Sequence, residues 1–325
     1  MTIEVVPGLG WPLRLARDTE PLGWVGDVSR ETPAQDTRPM MTSALAVAAG
    51  RRQGIAAGAR RVMVVANQKG GVGKTTTAVN VAAALAQHGL RVLVVDLDPQ
   101  GNASTALSIT HTEGTPNIYD VLVDSIPMAD VVAPCEGLPG LFVVPATIDL
   151  AGAEIELVSL VSRENRLRRA LTRYVQDEAS ADRRYDYVFI DCPPSLGLLT
   201  VNALTAGAEM LIPIQCEYYA LEGVTQLMRT IEQVRLHLNP DLRVGAVVLT
   251  MFDARTRLAA GVADEVRRHF GAQVLRTAVP RSVRISEAPS YGQTVLTYDP
   301  ASAGALSYLE VAAELTAQHE SVGAS

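Results

Sequence analysis

Lys69 and Lys74 are the only lysines in the chain; the other 26 of its 28 basic residues are arginine. They stand five positions apart in one glycine-rich loop, Asn67-Gln68-Lys69-Gly70-Gly71-Val72-Gly73-Lys74-Thr75-Thr76-Thr77. Where arginine is the default cation, two retained ammonium groups mark a task that suits a compact point charge rather than a planar fork. An apolar run, Val62 to Ala66, precedes the loop, and a helical pattern, Ala78 to Ala86, follows it. A strand, loop and helix in that order gather backbone N–H groups and the positive end of a helix dipole around an anion. Glycine lets the main chain come close to the anion's oxygens. Gly70, Gly71, Val72, Gly73, Lys74, Thr75 and Thr76 are therefore candidate phosphate-binding residues.

Two carboxylate-bearing segments fall where the same chemistry would need them. Asp96-Leu97-Asp98-Pro99-Gln100-Gly101-Asn102 follows the apolar run Val92 to Val95. Tyr185-Asp186-Tyr187-Val188-Phe189-Ile190-Asp191-Cys192-Pro193-Pro194-Ser195 ends a second such run on Asp191. An apolar strand that terminates in aspartate presents a carboxylate at its tip, a fitting ligand for a hard, partly hydrated cation such as Mg²⁺. Aspartate in such places also suits helix capping.

These segments need a scaffold that brings several strand ends to one edge. Apolar runs bounded by turns recur at Val62–Ala66, Val92–Leu97, Leu141–Pro145, Tyr187–Asp191, Met210–Gln215, Val244–Thr250 and Val274–Val279, with helical patterns between them. The alternation predicts an α/β fold, a doubly wound, mostly parallel sheet with helices on both faces and its site at the strand C-terminal ends. With 325 residues and 48% hydrophobic content, the chain has material for one such domain plus an extension. The expected boundaries are a mostly disordered N-terminal extension at 1–60, an α/β domain at 61–318 and a tail at 319–325. The extension is rich in Pro and Gly and holds both tryptophans, in Gly10-Trp11-Pro12-Leu13 and Pro21-Leu22-Gly23-Trp24-Val25; residues 42–57 could form a helix. Cys135, Cys192 and Cys216 are odd in number and widely spaced, forming neither a disulfide framework nor a zinc pattern. The sequence holds no apolar stretch long enough to span a bilayer and no secretory leader pattern, so a cytoplasmic location is expected.

The phosphate loop departs from the ordinary P-loop, which has Gly six residues before its Lys where this chain has Gln68. Lys-Gly-Gly-Val-Gly-Lys-Thr at 69–75 instead resembles the deviant Walker A motif of the ParA/Soj and MinD superfamily of ATPases. Tyr185 to Leu196 resembles the superfamily's Walker B element and switch II, while Asp96 to Asn102, Gln215 to Gly223 and Pro145 to Leu150 resemble the ParA/Soj branch in particular. The resemblance covers about residues 61–318. It implies a P-loop NTPase fold, ATP and Mg²⁺ as cofactors, and ATP hydrolysis. Lys74 would contact the β- and γ-phosphates, Thr75 and Asp191 would hold Mg²⁺, and Asp96 would order the metal shell or its loop. Asp98 would position or activate the attacking water. Lys69 would reach the nucleotide of a second subunit, with Gly70 at the close approach of an ATP-dependent homodimer. Lys69, Lys74 and Asp98 are thus the expected catalytic residues, with Pro280 and Arg281 bordering the adenine.

The net charge of −7 argues against wholesale attraction to nucleic acid, so any DNA contact must be local. Between Arg255 and Arg284 lie seven arginines against Asp264 and Glu265. Arg255, Arg281 and Arg284 are similar to positions that contact DNA in ParA/Soj proteins. Such arginines would grip phosphates of double-stranded DNA whatever its sequence; they would equally serve as a solvated surface. The resemblance implies a nucleoid-associated partition ATPase stimulated by a ParB-type centromere-binding partner, or the same engine positioning another cargo. The MinD-like alternative needs a basic amphipathic terminal helix; residues 305–325 hold Glu310, Glu314 and Glu320 and no Lys or Arg, so no membrane partner is expected. A metabolic ATPase with the same loop is a further alternative. The paired tryptophan segments of the extension suit docking to a polar or cytoskeletal partner.

Overall fold

The computed structural model describes residues 60–217 and 220–322. The extension's tryptophans, its candidate helix at 42–57 and the end of the tail lie outside the described residues.

Each expected apolar run is a strand: β1 (Arg61–Val65), β2 (Val92–Asp96), β4 (Leu141–Val144), β5 (Tyr187–Asp191), β6 (Glu209–Gln215), β7 (Arg243–Phe252) and β8 (Val274–Pro280). A two-residue strand, β3 (Ala133–Pro134), adds an antiparallel edge beside β4. The sheet order is β3-β4-β2-β5-β1-β6-β7-β8, and every pairing except β3 with β4 is parallel. The chain leaves β1 for β2 on one side and later returns to build β6 to β8 on the other. The loop after β1 therefore opens where strand order reverses, the place at which doubly wound sheets form their binding crevices.

Period-two side-chain alternation divides the core into two layers. Met63 and Val65 of β1, Val92 and Val94 of β2, and Tyr187 and Phe189 of β5 face one layer, packed with α1 (Lys74–Gln87) and α10 (Ala303–Val322). Val64, Leu93, Val95, Val188 and Ile190 face the other, covered by α4 (Arg166–Ser180), α5 (Leu198–Ala206), α6 (Ala220–His237) and α7 (Arg257–Phe270). Two-sided burial is why these strands read as near-continuous apolar runs. Short helices α2 (Asn102–Ala106), α3 (Leu150–Glu156), α8 (Val283–Glu287) and α9 (Val295–Tyr298) punctuate the connections.

Helix α1 is buried along almost its whole length, including Ala78, Val79, Val81, Ala82, Ala83, Ala84 and Leu85. Its alanines combine high helix propensity with small volume, so it lies between sheet and α10 without a wide amphipathic stripe. Helix α10 presents Ala305, Tyr308, Val311, Ala312 and Leu315 to that layer, so the acidic C-terminal segment is a core helix. Among the described residues no helix is long and apolar enough to cross a membrane.

At the N-terminal edge of the sheet, buried charges are paired. Arg61 donates to Glu209 through Nη2 and through Nε at 3.1 Å, and to the Leu315 carbonyl at 2.6 Å; Arg243 reaches the other Glu209 oxygen at 2.7 Å. Arg91 and Arg183 both bind Glu178, and the hydroxyls of Tyr174 and Tyr185 are 2.8 Å apart.

Candidate active site

The loop between β1 and α1 is fixed from both ends. Asn67 donates Nδ2 to the Pro213 carbonyl at 2.8 Å, while its Oδ1 accepts the Lys69 backbone N–H at 3.1 Å. Thr250, on β7, donates its hydroxyl to the Val72 carbonyl at 2.8 Å. Gly71 (φ +73°) and Gly73 (φ +85°) adopt the left-handed conformation that a side chain would disfavour. Gly73 caps α1 without any side-chain hydrogen bond, and no acid lies in the helix's first turn. The first N–H groups of α1 are thus left for an anion.

Asp96 and Asp191 end neighbouring strands in direct register. Both are fully buried, yet their surroundings differ. Asp96 accepts hydrogen bonds from the Asp98 N–H at 3.2 Å, the Ser104 N–H at 2.9 Å and the Ser104 hydroxyl at 2.8 Å. Burial nevertheless pushes its carboxyl up to about 6, against those hydrogen bonds. Asp191 has no hydrogen-bond partner on either oxygen. Burial, reinforced by Asp96 and Asp98, raises its carboxyl well above the usual range, with Thr75 and Lys74 close enough to oppose the rise. Lys74, only 7% exposed, is lowered by burial and partly restored by Asp191, Cys192 and Asp98; its Nζ reaches the Lys69 carbonyl at 3.3 Å. An unpartnered carboxylate and an ammonium held out of water are expensive for a fold. A divalent cation with a phosphate ester would relieve both.

Lys74 opens on a cavity of about 740 Å³ that is also lined by the glycines of the loop, Thr75, Thr76, Asp98, Pro194, Ser195, Met251 and Pro289, while Asp96 and Asp191 are buried behind it and do not line it. The volume falls within the range usual for cofactor sites. Asp98, 8% exposed, is held by the Gln100 N–H at 3.0 Å. Among the described residues no group of three or more His, Cys, Asp or Glu could hold a metal. A cation here would depend on Asp191, Thr75 and phosphate oxygens, the sparse protein ligation typical of Mg²⁺. The three cysteines are free and buried.

Pro280 and Arg281 do not line this cavity. Pro280 pairs with Phe252 at the end of β8, and Arg281 turns to Glu217 at 3.4 Å. Glu217 also holds Lys69 at 3.2 Å, so two cations from different loops share one carboxylate. The arginine-rich stretch is likewise more neutralised than its composition suggests. Arg255 makes a forked pair with Asp253, both contacts at 2.9 Å, which brings the Asp253 carboxyl down to about 2. Arg284 lies 3.3 Å from both Glu287 and Asp299. Sequence reading missed Glu217, Thr250, Met251 and Pro289. Met251 alone carried no signal at all, since its left-handed backbone (φ +50°) is visible only in the fold.

A twisted parallel sheet with a two-lysine glycine loop at its reversal point, an uncapped helix and a strand-end aspartate define a P-loop NTPase of the deviant Walker A class. The family model described as an AAA domain matches residues 60–244. The chain is 52% identical over 257 residues to the sporulation initiation inhibitor protein Soj of Bacillus subtilis, covering 79% of this chain and 98% of that protein. It is 54% identical over 255 residues to the chromosome partitioning protein ParA of Caulobacter vibrioides, covering 78% and 93%. A solved structure named cobyrinic acid a,c-diamide synthase from Mycobacterium smegmatis, with bound ATP analogue and magnesium, superposes with a TM-score of 0.68 at 38% identity. It covers 81% of this chain and 97% of that one. The chain belongs to the Soj/ParA family of chromosome-partitioning ATPases.

Proposed function

We propose that the cavity binds ATP with Mg²⁺ and hydrolyses it as the switch of a DNA-segregation cycle. The observation that carries this reading is the pair Asp191 and Lys74, an acid and a base whose charged forms burial disfavours, beneath a glycine loop whose helix N–H groups have no cap. Magnesium, when bound with the nucleotide, neutralises charge on the phosphoryl oxygens. Lys74 and the N–H groups of residues 70–76 hold the phosphates. Thr75 and Asp191 hold the metal, Asp191 through water. Asp98 orients the attacking water from the cavity wall. Asp96, already saturated by Ser104 and Asp98, keeps that loop in register and stays outside direct ligation. Lys69 is released from Glu217 to meet the nucleotide of a second subunit in an ATP-dependent homodimer.

The dimer would bind double-stranded DNA without sequence preference through Arg255, Arg281 and Arg284, associate with the nucleoid, and be returned to the free state by a ParB-type partner. The acid partners of these arginines are exposed enough for phosphates to displace them. Pro280 would act by placing Arg281. Binding to non-cognate duplex DNA, measured without nucleotide, with ADP and with ATP across a salt series, tests the reading. ATP-dependent, salt-sensitive binding that Arg255→Ala and Arg284→Ala weaken is the expected result. No DNA binding in any state would redirect the reading to another cargo or to metabolism.

A further inference from the structure

The segment that carries Asp98 is tied down on two sides. On the inner side, Ser104 of α2 gives its N–H and its hydroxyl to Asp96, and its hydroxyl oxygen accepts the Ala146 N–H at 3.2 Å. On the outer side the turn closes on Gly101, whose N–H donates to the Asp98 carbonyl at 2.9 Å. The Gly101 carbonyl in turn accepts the Thr105 N–H at 2.9 Å and the Thr105 hydroxyl at 3.0 Å. Thr105 lines the nucleotide cavity, as Asp98 does.

His111, half-buried, stands behind this outer side. Its Nδ1 donates to the Ile109 carbonyl at 2.7 Å, and its Nε2 lies 3.2 Å from the Thr105 hydroxyl. The ring also covers Gly101. A Cβ there would come 2.9 Å from His111 Cδ2 and 3.0 Å from the Ala146 carbonyl, at a φ of +61° that already favours glycine. The backbone that presents the imidazole is braced in turn: Ser108 donates its hydroxyl to the Gly292 carbonyl at 2.7 Å, and the Ile109 N–H reaches the Ser104 carbonyl at 2.9 Å. A surface histidine that merely capped the Ile109 carbonyl would neither reach Thr105 nor close over Gly101. Here the ring backs both the side chain and the carbonyl that fix the end of the Asp98 turn. Displacing a water-orienting carboxylate by about 1 Å can slow a reaction about 100-fold, so the backing matters to the chemistry. We infer that His111 is a positioning residue for hydrolysis, holding the Asp98–Gly101 turn through Thr105 without itself touching the nucleotide. The inference rests on the proposed role of Asp98 in orienting the attacking water.

The test compares variants of the full-length protein in three measurements: hydrolysis at saturating ATP and Mg²⁺, affinity for a non-hydrolysable ATP analogue by calorimetry, and melting temperature. His111→Ala should lower kcat about 3- to 10-fold, the worth of one hydrogen bond, with analogue affinity and melting temperature nearly unchanged. Thr105→Val should do the same, and the double variant should be no slower than the slower single one, since both break one chain of contacts. His111→Gln, which keeps a polar atom at about the reach of Nε2, should recover most of the rate. In single turnovers with labelled ATP, the residual hydrolysis of Asp98→Ala should not fall further when His111→Ala is added. An unchanged kcat in His111→Ala beside an inactive Asp98→Ala would overturn the inference and leave the role of Asp98 standing. A loss that appears in melting temperature and analogue affinity, or that adds to the Asp98→Ala defect, would make His111 structural only and overturn it too. Hydrolysis at the parent rate in Asp98→Ala would overturn the reading of Asp98, and the positioning role with it.

Discussion

The two edges of one sheet treat buried charge in opposite ways. At the N-terminal edge, Arg61, Glu209 and Arg243 satisfy one another, and Glu178 joins Arg91 to Arg183. At the C-terminal edge, Asp191 is equally buried and has no partner on either oxygen, while Lys74 reaches only a carbonyl. One sheet positions both sets. Where charge is paired it serves the fold, and where it is left unpaired the fold carries a cost that a ligand can remove.

Substitutions at the two edges should therefore separate stability from chemistry. Lys74→Ala should lower ATP affinity by at least about 100-fold, read by calorimetry, with little change in melting temperature of the nucleotide-free protein. Glu209→Gln should do the reverse: it strands Arg61 in the interior and should cost about 3–5 kcal/mol in denaturant unfolding while sparing nucleotide affinity. A ligand-binding defect without a stability loss in Glu209→Gln would break the contrast. Asp191→Asn should stabilise the nucleotide-free chain by about 1–2 kcal/mol, since it removes a carboxyl whose charged form burial disfavours, while Mg²⁺-dependent turnover falls about 100-fold or more. A destabilised Asp191→Asn protein would show that the carboxylate already has a structural role.

The smallest effect is one of pH. The folded Asp96 carboxyl titrates near 6, above the ordinary aspartate value of about 4. Between those values the folded chain keeps a proton that the unfolded chain has released. The stability that Asp96 contributes is therefore complete below about pH 4 and declines as pH rises to about 6. Denaturant midpoints of metal-free protein should follow that slope, and Asp96→Asn should reduce it, leaving the part of the same sign that the raised Asp191 carboxyl adds.

The central site was legible because its chemistry is local. Residues 61–77, 92–102 and 185–196 each carry strand, turn and functional side chain in one short run, and the sheet then aligns the runs. What was illegible depends on contacts between distant segments. Thr250 reaches Val72 across 178 positions, and Glu217 reaches Lys69 across 148. The arginine-rich window is legible in its charge but not in its pairing. Its excess of positive charge is real between residues 255 and 284, but Asp253 and Glu287 stand just outside those limits, and Asp299 and Glu314 arrive from later segments of the chain. A linear count cannot see which acids the fold brings back.

The hydroxyl of Thr250 gives the molecule a reciprocal obligation. It fastens the phosphate loop to β7, the strand whose tip carries Asp253 and Arg255. If occupancy of the loop shifts that tip towards a state that prefers DNA, then DNA must favour occupancy of the loop by the same factor. Such a link works like a seesaw with one pivot, and whichever end is loaded first, the free energy exchanged is identical. If so, Thr250→Val, which keeps the shape and removes that hydrogen bond, should weaken the coupling between nucleotide affinity and DNA affinity.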